Sequence, residues 1–108
     1  TMTMLAYKLL RQRKDGTLGP LFINASQRVP VGEWLEAEDH PTRGFAQRMG
    51  WHCTLTPNAP HLKLNPKGSK RVWALVDVEN FEEYNRPESQ GGTWVLAQRM
   101  KVIETIGA

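Results

Sequence analysis

The sequence predicts a β-rich α+β domain: a single curved sheet or small barrel-like domain of five to six strands with one or two short helical turns. Three observations predict it. Residues 72–78 alternate with period two, the signature of a strand. Lys14-Asp15-Gly16-Thr17 is a hairpin signal, because Asp-Gly supplies the positive backbone angles that a tight turn needs. Glycine and proline, nine and seven of 108 residues, cut the rest into short segments. A chain of this length forms one domain, 1–108, around one modest core. Residues 1–3 read as a cloning scar ahead of a native start at Met2 or Met4.

The elements follow in order. Residues 6–13 read as a strand, with Tyr7, Leu9 and Arg11 on one face and Lys8, Leu10 and Gln12 on the other. After the Asp-Gly turn, residues 18–23 return as an edge or bulged segment, since Pro20 cannot donate to a ladder. Asn24-Ala25-Ser26 turns again. Pro30 and Gly32 argue against a long helix in residues 28–38. Residues 34–38 suit a helical turn or a strand, and a short strand is preferred. Residues 39–50, with Pro41, Gly44 and Gly50, read as a loop anchored by Phe45. Residues 51–55 are a strand. Pro57, Pro60 and Pro66 bound a loop with a basic tip, Lys67-Gly68-Ser69-Lys70-Arg71. In the clearest strand, 72–78, Val72, Ala74, Val76 and Val78 share the buried face. Phe81 and Tyr84, three apart, suggest one helical turn within 79–85. Residues 86–92 form a flexible loop. Residues 94–106 satisfy both periods and are divided into a helical turn at 94–97 and a strand at 100–105.

Fourteen Lys and Arg against eleven Asp and Glu give a net charge of +3. That permits contact with a polyanion, although a duplex binder concentrates more positive charge on one face. One cysteine, Cys53, excludes an intramolecular disulfide and fits a reducing cytoplasm. No apolar run approaches the length of a membrane helix, and no signal peptide is read at the N-terminus.

No motif names a reaction. His40, His52, His61 and Cys53 have no zinc spacing, and on a strand His52 and Cys53 point to opposite faces; no metal and no cofactor is expected. Cys53 and His61 could form a nucleophilic pair if residues 56–60 fold the imidazole back. A free cysteine is more often a small buried hydrophobe, so Cys53 is expected to be buried and unreactive. Glu36 and Glu38, and Glu79, Glu82 and Glu83, read as solvated edges rather than a carboxylate pair across a cleft. The tryptophans, Trp34, Trp51, Trp73 and Trp94, are core, or else half-exposed platforms beside Arg43, Arg48, Lys70 and Arg71. Two dense patches, 44–53 and 86–94, combine glycine with polar and aromatic side chains and suit either a site or plain turns.

Tyr7-Lys8, Val31-Gly32-Glu33, Gly50-Trp51-His52-Cys53, Arg71-Val72-Trp73 and Met100-Lys101-Val102-Ile103, taken in succession, resemble small phage and prophage proteins that carry no established activity. More remotely, a leading strand with a basic residue and a central Gly-aromatic-His resembles ADP-ribosyltransferase-like folds. This chain departs from them in lacking a Ser-Thr-Ser stretch and in placing Glu36-Ala37-Glu38 early.

Two functions are therefore expected. The first is a phage-derived accessory or binding module that contacts a nucleic acid or a host protein through Arg43, Arg48, Trp51, Lys67, Lys70 and Arg71. The second, suggested by the remote resemblance, is a nucleotide- or NAD-using enzyme with His52 and Glu104 as polar groups and Tyr7 or Trp51 as a stacking wall. A membrane partner is not expected.

Overall fold

The computed structural model describes residues 2–22, 26–38, 50–64 and 70–106. They build one six-stranded antiparallel sheet. Its strands are β1 (Thr3–Gln12), β2 (Leu18–Gly19), β3 (Trp34–Glu36), β4 (Trp51–Thr54), β5 (Lys70–Asn85) and β6 (Thr93–Ile106). β5 lies between β1 and β6, β6 also carries β4 and β3 on its other edge, and β1 pairs with β4 through Tyr7 opposite Thr54. The pairings β1–β5–β6–β4–β1 thus return to their starting strand, and the sheet curls around its core.

Local chemistry explains the hairpins. The amide of Gly16 donates to Arg13 O at 2.9 Å, and Gly16 takes φ +87°, the left-handed residue that follows the turn in a three-residue hairpin loop. Asp15 Oδ1 accepts from the Thr17 amide at 3.0 Å and the Thr17 hydroxyl at 2.7 Å, which fixes the loop. Gly50 leads into β4 at φ +112°, and a Cβ there would meet Ala97 O at 3.1 Å, so the backbone of β4 can lie close on β6.

The long β5–β6 ribbon changes its inward side partway along. Ala74, Val76 and Val78 are fully buried and lie across from Thr105, Val102 and Met100, the last two also buried. Past Asn80 the inward positions become Phe81 on β5 and Ala97 and Val95 on β6. Asn80 has φ +50°, the one positive-φ non-glycine among the described residues. Asparagine tolerates this conformation better than most side chains. A second irregularity, between Leu75 and Val76, leaves Ile103 as an extra residue on β6 and turns it outward.

The face expected for residues 72–78 is the observed one: Ala74, Val76 and Val78 are buried and Val72 packs against the core. The helical turns expected at 79–85 and 94–97 are strand instead. The switch at Asn80 explains the error. It spaces the buried residues of β6 as Val95, Ala97, Met100 and Val102, and the three-residue step imitates a helix. Helix among the described residues is a 3-10 turn, Glu88–Gln90, inside the segment expected to be a loop. The return segment expected at 18–23 pairs only over Leu18–Gly19. Lys70 and Arg71, expected at a loop tip, open β5.

Candidate functional site

The sheet gathers cations at one end. Arg11 on β1 lies directly across from Arg71 on β5, and Gln12 across from Lys70. Like charges directly opposite are destabilising. Both guanidiniums are oriented by main-chain oxygens: Arg11 Nη2 donates to Leu21 O at 2.7 Å, and Arg71 Nη1 donates to Lys63 O at 2.9 Å. The Arg71 amide also donates to Leu64 O, which holds the loop carrying Lys63 against the start of β5. Phe22 stands 67% exposed with the Arg71 guanidinium 5.4 Å from its ring centre. Among the described residues, no carboxylate pairs with Lys63, Lys70 or Arg71. The result is a positively charged end with an uncovered aromatic face.

A second cation–aromatic group has the opposite balance. On β6, Arg99 lies 4.8 Å and Lys101 5.1 Å from the Trp34 ring centre. Arg99 donates to Glu36 at 2.7 Å and to Glu79 at 3.1 Å, and Lys101 lies 3.9 Å from Asp77. Each cation there has its own carboxylate, so the group fastens β3 and β5 to β6.

The tryptophans divide accordingly. Trp51 and Trp94 are core, and each indole donates to a main-chain oxygen, Leu35 O at 3.2 Å and Gln90 O at 2.7 Å. Trp34 and Trp73 are half-buried. Of the residues expected to bind, Lys70 and Arg71 come together at the charged end, while Trp51 is enclosed under Lys8. Arg43, Arg48 and Lys67 lie outside the described residues, as do His40 and Phe45. His52 on β4 pairs with Leu96, in the first half of β6, whereas exposed Glu104 pairs with Leu75 in the second half. The structure does not bring the two together.

Cys53 is fully buried, and its thiol points to Trp51 O at 3.8 Å. Burial pushes the thiol up to about 11, against a smaller opposing effect of Lys8. Exposed His61 packs edge-on against Trp94 with ring centres 5.9 Å apart, so its ring serves the loop contact there. Among the described residues, no group of three His, Cys, Asp or Glu could hold a metal ion, and no helix is long and apolar enough to cross a membrane.

Sequence reasoning missed Phe22, Arg11 and Lys63 as neighbours of Arg71. Alternation did place Arg11 on one face of the first strand, but only the β1–β5 register sets it beside Arg71. Comparison with protein-family models, curated proteins and solved structures gives no match.

Proposed function

We propose that the chain is a small accessory module, phage-derived and cytoplasmic, that binds single-stranded nucleic acid at its charged end. One observation carries the reading: Arg11 and Arg71 are held side by side next to exposed Phe22, with Lys63 and Lys70 adjoining. Phosphates would relieve the repulsion between the two guanidiniums. A base could stack on the open ring, as every base has a flat π face. A single strand suits this end better than a duplex, because the cations are few and the aromatic ring needs an unpaired base to stack on. Lys67, Arg43 and Arg48 would add charge to the same surface under this proposal.

Fluorescence anisotropy with labelled oligothymidine at low salt tests it. Replacing Lys63, Lys70 and Arg71 together by Ser should weaken binding by at least about tenfold, and Phe22→Ser by about fivefold or more through lost stacking. Equal affinity in parent and triple variant would remove this end from the account.

A further inference from the structure

Lys8 carries a second site. It shares its side of β1 with Ala6 and Leu10, both fully buried, and lies across from fully buried Ala74. Its side chain therefore starts on the inner face of the sheet, where a lysine is unusual. It sits just past Tyr7, where the pairing between β1 and β4 ends. There its Nζ reaches across to β4 and donates to His52 O at 2.9 Å, 5.8 Å from the Trp51 ring centre. The slot between β1 and β4 is thus lined by the Lys8 amine, the Trp51 ring and the Cys53 thiol.

No carboxylate among the described residues pairs with Lys8. Its one hydrogen-bond acceptor is a neutral carbonyl. The Cys53 thiol, held protonated by burial, gives it no counter-ion. An ammonium with so little compensation is costly in an apolar setting. Burial accordingly lowers the Lys8 pKa from its ordinary value, with a smaller opposing effect from Cys53. Lys8 is partly rather than fully buried, so a small molecule can reach the amine.

We propose that this slot is a covalent site for small apolar aldehydes, with Lys8 Nζ as the nucleophile. The amine lone pair attacks the carbonyl carbon to give a carbinolamine. Loss of the former carbonyl oxygen as water leaves a C=N bond, and neither oxidant nor reductant takes part. A neutral amine is the reactive form, and desolvation is one of the ways proteins activate lysine for this chemistry. Trp51 forms one wall for the apolar body of the aldehyde.

The probe is benzaldehyde, trapped with cyanoborohydride at pH 7 and located by peptide mass mapping. The native protein should carry more adduct on Lys8 than on Lys14, Lys63, Lys70 and Lys101 together. Unfolding in urea should erase that preference, and Lys8→Arg should lose most of the uptake. If Lys8→Arg fails to fold, the comparison of native and urea-unfolded parent decides alone. Adduct spread over the exposed lysines with little on Lys8, or a preference that persists in urea, would overturn the proposal.

Discussion

The Phe22 end and the Trp34 edge are built from the same parts and differ in one. Each has cations close to an aromatic ring. At Trp34, Glu36, Glu79 and Asp77 neutralise Arg99 and Lys101. At Phe22, main-chain oxygens orient Arg11 and Arg71 but leave their charge in place. A cation over an aromatic ring therefore does not by itself mark a binding surface. The local charge balance separates a fastening from a site that attracts anions.

That contrast is open to substitution, and the largest effect on stability belongs to the fastening. The Glu79 side chain is only 12% exposed, so Arg99→Met would leave a largely buried carboxylate without its cation. The expected cost is about 3 kcal/mol in urea unfolding, with oligonucleotide affinity unchanged. A cost near zero would mean that the Trp34 group is as dispensable as a surface ion pair. Val76→Ala tests the core beneath both regions. Val76 is fully buried, and the cavity should cost about 2 kcal/mol, again with affinity preserved. Asn80→Val tests the kink that divides the ribbon. A β-branched residue at φ +50° should cost about 1 kcal/mol, whereas Asn80→Gly should be nearly neutral. The smallest change in stability is expected for Lys70→Ser with Arg71→Ser, within about 0.5 kcal/mol, although this pair should reduce affinity the most. Melting curves together with binding curves would show whether the two properties separate in this way.

Much of the sheet was legible because its signals are local. The alternation through Val76 and the Asp15-Gly16 turn each need only a few neighbouring residues. The helical reading of β6 failed because its spacing depends on Asn80, a residue on another strand. The charged end was legible in part. Lys70 and Arg71 stand out as a basic pair, but Arg11 joins them only through the β1–β5 register, and Phe22 only through the return of the chain after β2. Lys8 was unreadable for the same reason. Alternation gives it a face but does not say that the face is the inner one, because apolar residues occupy both faces of β1.

The salt dependence of oligothymidine binding tests the central claim most directly. Binding through Arg11, Lys63, Lys70 and Arg71 should give a log–log slope of about −2 to −3, falling below about −1 in magnitude in the Lys63, Lys70 and Arg71 triple-serine variant. A slope near zero in the parent, or the same slope in both proteins, would contradict the assignment of this end to nucleic acid.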